Sequence, residues 1–538
     1  MSASAVAPER DAHASTDDHP RPRAAGALLR HWPLWVSLLV VLAGRITLYD
    51  WPISPDESGF FMVADDLLHH GGDGIYGHYW VDRPPLLIWL FTVAAVLGTV
   101  EAIRWLVALF FVAFVVMTYV VVRRLGGAAG WAVAVAAAFS ITPEVGAQVA
   151  NGEAFAIPFV IGGILCTVVA QRHVGGRALL WSAVAGLTGF LAMAVKQNFF
   201  DGLAFAFVLL VVSGLRGERS WADVVRRLAA GVAGIVVGIL AMVAYALTTG
   251  AGAAGLWLAA VSFRGDASRV IRAGYRTGIE NRTEAIIDNA WVAGIIPMLI
   301  VLVVVALLCR LRGSAVSWAV GVVILIEVVG IVVGGNFWSH YLLGLAPGLA
   351  LATGLAGAAP SPATTPPNPG LPTAGRGRWI LRNWRRLLVL PVAAYLVGCA
   401  LVVTPSQAND VGSSGSTRAL RIGGFVADSA EPGDTATTLF GRPDAQLATG
   451  LRSPYEQLWS LPVRVLDPDL EQLTALLGSD DAPTWLVQVF SIHEWGLDPQ
   501  GRIDPVIEKR YEIVYDACRT RVYKLKTVQR ELAPPPTC

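Results

Sequence analysis

Cysteine is scarce, with five in 538 residues, too few for a disulfide framework. None falls in a CxxC pattern, which removes the usual zinc and dithiol readings. Charge is scarce as well: 15% of residues are charged against 54% hydrophobic, a balance that indicates an integral membrane protein. A net charge of +1, with no compact basic module, gives no footing for a nucleic-acid partner. Residues 1–30 lack an apolar core and read as a disordered cytoplasmic leader rather than a signal peptide. No small-residue cleavage site follows the first apolar run, so 33–49 is expected to remain as an anchor.

What is present is a succession of apolar windows near the length of roughly 20 residues that a spanning helix needs. They fall near 33–49, 104–122, 128–142, 154–170, 179–195, 199–214, 229–249, 291–309, 315–334, 341–357 and 387–404. The segment 84–100 is apolar too, but it is slightly short and begins with Pro84-Pro85. Loop charge decides how to read it. If it does not cross, Arg123-Arg124, Arg172/Arg177, Arg216 to Arg227, Arg310/Arg312 and Arg376 to Arg386 all share the side of the N-terminal arginines. If it crosses, every one of them moves outside. It is therefore expected to be a juxtamembrane or re-entrant helix, leaving about eleven crossings with the N-terminus inside.

The fold class expected is a mainly α polytopic bundle with a small C-terminal α/β domain. The bundle covers 31–357, a Pro-rich cytoplasmic linker 358–386, a last membrane helix 387–404 and an extracytoplasmic domain 405–538. Strand-like pieces DTATTLFG, PTWLVQVF, YEIVYDA and TRVYKLK alternate there with helical stretches such as PDLEQLTALLG. The preferred reading of this domain is a structural or acceptor-positioning module without chemistry of its own. If it lies outside the cytoplasm, Cys518 and Cys538 are free to pair.

On this topology the outer face collects the chemistry-bearing residues. In 53–90, Ser54-Pro55-Asp56-Glu57 reads as a capping box with proline at the first helical position. An amphipathic helix follows, ending at Gly71-Gly72. The plain reading of Asp56 and Glu57 is that they complement the helix dipole. Arg83, Lys196, Arg264, Arg269, Arg272, Arg276 and Arg282 are positive charges on the side that the inside bias should leave poor in them. Such residues either form a solvated or lipid-facing surface or bind a phosphate, whose oxygens match guanidinium forks. Glu144 and Glu153 lie in a second outer loop. Lys196 fits a snorkelling role, and His340-Tyr341 an aromatic belt, as readily as a ligand-binding one.

The Asp56-Glu57 pair, the Asp82-Arg83-Pro84-Pro85-Leu86 stretch with Trp89, Glu144/Glu153, and His340-Tyr341 with Pro347 together resemble the GT-C membrane glycosyltransferases. The likeness is to the protein mannosyltransferase and lipid A aminoarabinose transferase branches, and it covers about 30–404. It implies an inverting enzyme that moves a sugar from a polyprenyl-phosphate donor to a lipid, glycan or protein acceptor of the cell envelope. The setting implied is the outer face of the plasma membrane, among membrane lipids. Asp56 would be the base, with Glu57 and Glu153 as supporting acids. Arg83 would hold the carrier phosphate, and Asp82, Lys196, Arg264, Arg269, His340 and Tyr341 are the further substrate-binding candidates. Arg stands where Lys is more frequent and Asp82 where Glu is, which leaves any divalent-metal contact open. A transporter or flippase for lipid-linked glycans is the alternative, but its ionisable groups belong at mid-membrane. Here Glu327 is the chief acid inside a span. A binding scaffold with the tail as its working part is the third reading.

Overall fold

A computed structural model describes residues 31–69, 74–273, 276–309, 313–359, 376–408, 415–492 and 496–537. The expected leader, residues 360–375 of the linker, the Gly71-Gly72 helix stop and Cys538 lie outside these. Among the described residues, six helices are long and apolar enough to cross a membrane. They are α4 (Ala102–Arg124), α6 (Gly152–Ala170), α7 (Gly175–Val195), α9 (Trp221–Thr248), α14 (Ala315–Gly334) and the Asn383–Ala408 part of α16 (Arg376–Ala408). A seventh span forms if α12 (Arg276–Val292) and α13 (Ile295–Leu308), bent by 70° at their junction, are taken as one. The protein is a multi-pass membrane protein.

The apolar windows outnumber the long helices because hydrophobicity does not dictate continuity. Shorter apolar helices α1 (Trp32–Thr47), α3 (Pro85–Val96), α5 (Ala129–Phe139) and α8 (Asp201–Leu215) occupy four of the apolar segments. Residues 341–357 divide between a 3₁₀ turn, Ser339–Leu345, and α15 (Ala346–Ala356). Helix α3, with 12 residues, is about 18 Å long at 1.5 Å per residue, well short of the ~30 Å hydrocarbon layer. Most of α9 turns its apolar residues outward, Leu240 and Val237 being 62% and 58% exposed, as a lipid-facing helix should. Its other side meets α7 where Gly186 and Gly234 leave no room for a side chain, the small-residue contact of membrane helices. Glu327 is buried on α14 and faces Asp201 at the start of α8.

The two ends of the bundle differ in chemistry. At one end the basic turns meet each other: Arg123 reaches His31, Arg172 bonds the Arg124 carbonyl, and Arg216 bonds that of Gly313. Arg219 and Arg227 there bond the Gln171, Ala170 and His173 carbonyls. At the other end α2 (Pro55–His69), the loop before α3, the loop before α6, Lys196 and the 3₁₀ turn converge. Also there lie α10 (Gly252–Trp257), the π-turn Leu258–Ser262 and α11 (Phe263–Ala273).

The C-terminal unit caps that second end. It comprises α17 (Gly415–Ser429), β1 (Ala436–Leu439), α18 (Pro443–Ala448), α19 (Ser460–Leu466), α20 (Glu471–Gly478), β2 (Trp485–Gln488), α21 (Ile503–Arg510), β3 (Tyr511–Ala517) and β4 (Thr520–Leu525). All four expected strand segments are strands. The sheet order is β1-β2-β4-β3, with β1 and β2 parallel and the remaining pairs antiparallel. Trp485 is fully buried in it. The free cysteines among the described residues are Cys166, Cys309 and Cys399, whereas Cys518 is disulfide-bonded.

Candidate active site

The first turn of α2 forms as its sequence predicts. The Ser54 hydroxyl accepts from the Glu57 amide at 3.2 Å, and the Glu57 carboxylate accepts from the Ser54 amide at 2.9 Å. Glu57 has further partners that its spacing could not reveal. Its two oxygens accept from Arg104 Nε and Nη2, each at 3.0 Å, and from the Ala150 amide at 2.9 Å. Arg104 in turn donates to the carbonyls of Tyr49 and Trp51, both at 2.5 Å. Burial alone would raise the Glu57 carboxyl, but the Arg104 guanidinium outweighs it and holds it below the usual carboxylate range. Glu57 thus ties α2 to α4 and to the loop before α6.

That tie leaves Asp56, one residue earlier, partly exposed at the helix start. Its Oδ1 accepts from the Trp459 indole N–H at 3.2 Å. The Asp56 charge acts on Arg83, Lys196 and His340, so the acid and the expected phosphate-binding bases lie near one another.

Arg83 leans over the Phe60 ring, 5.7 Å from its centre, and donates to Asp82 at 2.6 Å. Arg264 from α11 reaches the other Asp82 oxygen at 2.8 Å and the Asp82 carbonyl at 2.8 Å. Gln197 donates to the same carbonyl at 3.1 Å. Burial would raise Asp82, yet Arg264 and Arg83 together keep it below its ordinary value. Glu153 sits in the first turn of α6, which Asn151 caps by accepting from the Ala154 amide at 2.9 Å. It is paired with Lys196, and His340 Nε2 lies 3.8 Å from it. Gly146, at φ +74° and without room for a Cβ beside His340, lets the loop before α6 approach this closely. Lys196 also stands over the Tyr341 ring, 4.7 Å from its centre. Burial presses the Lys196 ammonium and the His340 imidazole below their ordinary values despite Glu153. Burial, with the Glu153 charge, pushes the Tyr341 hydroxyl up to about 12.

Of the residues singled out in the sequence, Asp56, Asp82, Arg83, Glu153, Lys196, Arg264, His340 and Tyr341 come together. Arg269 does not join them: it is 76% exposed on α11 and paired with Asp266. Glu144 accepts instead from Gln407 at the end of α16. Arg282 lies over Trp338, 4.8 Å from the ring centre. Trp459 and Arg104 carried no local signal. The first is 403 residues from its partner, and the second reads as the opening residue of an apolar span. Around Asp82 and Glu153, three cations, Arg83, Arg264 and Lys196, share two carboxylates. With Asp56 the charges balance, three cations against three carboxylates, and the guanidinium forks of Arg83 and Arg264 match the paired oxygens of an anion. Among the described residues no three of His, Cys, Asp or Glu form a metal-holding group.

The architecture has counterparts among solved structures. ArnT from Cupriavidus metallidurans bound to undecaprenyl phosphate superposes with a TM-score of 0.59 at 14% identity, over 93% of this chain and 98% of that one. The chain has the GT-C fold. The apo state of the same ArnT gives a TM-score of 0.58 at 15% identity, again over 93% and 98%. The Archaeoglobus fulgidus oligosaccharyltransferase, in complex with an inhibitory peptide and a dolichol-phosphate, gives 0.50 at 11% identity over 93% and 75%. No family model matches the sequence, and no curated protein matches it.

Proposed function

We propose that this GT-C chain is a membrane glycosyltransferase that moves a sugar from a polyprenyl-phosphate donor to a cell-envelope acceptor on the outer face. The observation that carries this reading is the cluster of Arg83, Arg264 and Lys196 beside Asp56. The bound undecaprenyl phosphate of the ArnT structure supports the same ligand class. The disulfide at Cys518 suits an oxidising compartment for the C-terminal unit. With all the candidate residues at the end away from the basic turns, the positive-inside bias favours the outer face.

In this mechanism Asp56 takes the proton of the acceptor hydroxyl as its oxygen attacks the anomeric carbon. The attack comes from the face opposite the phosphate, so the bond to the phosphate oxygen breaks with inversion. The electron pair leaves on the phosphate, where Arg83, Arg264 and Lys196 stabilise it. Glu57 acts only by fixing α2, and Glu153 by orienting Lys196 and His340. The test is turnover by the purified chain in detergent micelles, offered undecaprenyl-phosphate hexoses and pentoses with no transmembrane gradient. Release of undecaprenyl phosphate and a glycosylated acceptor is expected. Movement of intact donor across vesicles without any cleavage would favour a flippase instead.

A further inference from the structure

The C-terminal unit does more than cover the bundle. Its contacts with the outer end are closely spaced: His78 Nε2 bonds the Ser453 carbonyl at 2.7 Å, and the Tyr79 hydroxyl accepts from the Ser453 amide at 3.0 Å. The Trp80 amide donates to the Glu456 carbonyl at 3.2 Å, and Arg452 meets Asp66 at 3.1 Å. Arg464 donates to the Val270 carbonyl at 3.0 Å, and Leu461, Val465 and Leu466 pack with Trp80 and Phe263. These contacts fix the loop that ends at Trp459. There the indole ring lies flat against the Cβ-less face of Gly59, where even a methyl group would collide, and 5.4 Å from the Phe60 ring centre. Phe60 is the ring that carries the Arg83 guanidinium.

We infer that Trp459 is a positioning residue for Asp56, so that the transfer site is complete only when the C-terminal unit is docked. This rests on the function proposed above. A carboxylate has two oxygens and one rotatable bond that decides which of them faces a substrate. The indole N–H can donate but cannot accept, so it fixes Oδ1 without competing for a proton. Oδ2 is left to meet the acceptor hydroxyl. The packing on Gly59 and Phe60 holds the ring itself in place, so the constraint on Asp56 is not lost to side-chain motion. The acceptor then approaches between the start of α2 and the loop before α19, with the donor phosphate on the far side of Phe60. The C-terminal unit, expected from its sequence to lack chemistry, contributes orientation while the bundle contributes the base.

The experiment uses the full-length chain with Trp459→Phe, which removes the donor together with the outer indole edge that lies on Gly59, so that Trp459→His and the unfolding midpoints separate the lost donor from the lost packing. Undecaprenyl-phosphate hexoses and pentoses are the probes, and kcat and donor KM are measured separately. The expected result is a kcat lowered about tenfold, the scale of one lost hydrogen bond to a charged group. Donor KM should stay within about twofold, because no phosphate-binding cation is touched. Trp459→His, whose ring can again donate, should recover part of kcat. Unfolding midpoints for both variants show whether the fold is retained. A Trp459→Phe kcat equal to wild type overturns the inference and leaves the function standing. A fall in kcat that Trp459→His does not relieve, with a matching loss of stability, also overturns it by reducing Trp459 to packing. Absence of transfer by the wild type overturns the function and this inference with it.

Discussion

Replacing Glu57 with glutamine removes one charge from an ion pair that water does not reach, since Glu57 is 0% and Arg104 2% exposed. The carboxylate accepts from four N–H groups: Ser54, Ala150 and two nitrogens of Arg104. A glutamine amide offers one oxygen and turns an NH₂ toward the remaining donors, while the guanidinium stays buried without a counter-charge. Losing one member of such a pair costs about 3–5 kcal/mol, most of it the desolvation of the partner left behind. Exchanging both residues for apolar ones of similar size should cost less than the two single changes added together. The assay is the midpoint of unfolding in mixed micelles titrated with a denaturing detergent, for wild type, Glu57→Gln, Glu57→Leu, Arg104→Met and Glu57→Leu/Arg104→Met. A Glu57→Gln loss below about 1 kcal/mol, the scale of a surface pair, would refute the structural role assigned to Glu57. Strict additivity in the double variant would refute the coupling.

The same pair gives a pH dependence. The folded carboxyl of Glu57 lies below its unfolded value of about 4.3. Its contribution is therefore fully present above that pH and is lost as pH falls through the folded value. Asp82 behaves likewise, so acid unfolding monitored from pH 7 downward should begin only near pH 4, and Glu57→Gln should flatten it. Arg83→Gln leaves Asp82 paired with Arg264 and should lower kcat/KM for an undecaprenyl-phosphate sugar roughly ten- to hundredfold, read from initial rates. Single cysteines at 101–103 should react with a membrane-impermeant reagent from outside intact cells, and cysteines at 125–127 should not; the reverse pattern would invert the topology.

Much of the fold was legible because its causes are local. Ser54 and Glu57 announced a capping box and formed one, and the four strand-like segments of the C-terminal unit formed its strands. The loop charges grouped Asp56, Arg83, Lys196 and His340 on one side before any contact was known, and these residues share one end of the bundle. Long-range pairing was not legible. Nothing near Arg104 indicates that it turns inward to Glu57, and nothing near Trp459 indicates Asp56, because those contacts depend on how helices and the C-terminal unit pack. Continuity of helices was only partly legible: Pro84-Pro85 marks the start of α3, and Pro347, which has no N–H to donate, falls in the first turn of α15 directly after the 3₁₀ turn.

The most direct test is single-turnover transfer by wild type and Asp56→Asn from the same undecaprenyl-phosphate sugar, with donor binding measured alongside. Asparagine keeps the shape of Asp56 and still offers Trp459 an acceptor oxygen, but it cannot take the acceptor proton. The expected result is transfer lowered by about 10²–10⁴-fold, the usual weight of a general base, with donor affinity retained. Transfer by Asp56→Asn at the wild-type rate would contradict the account.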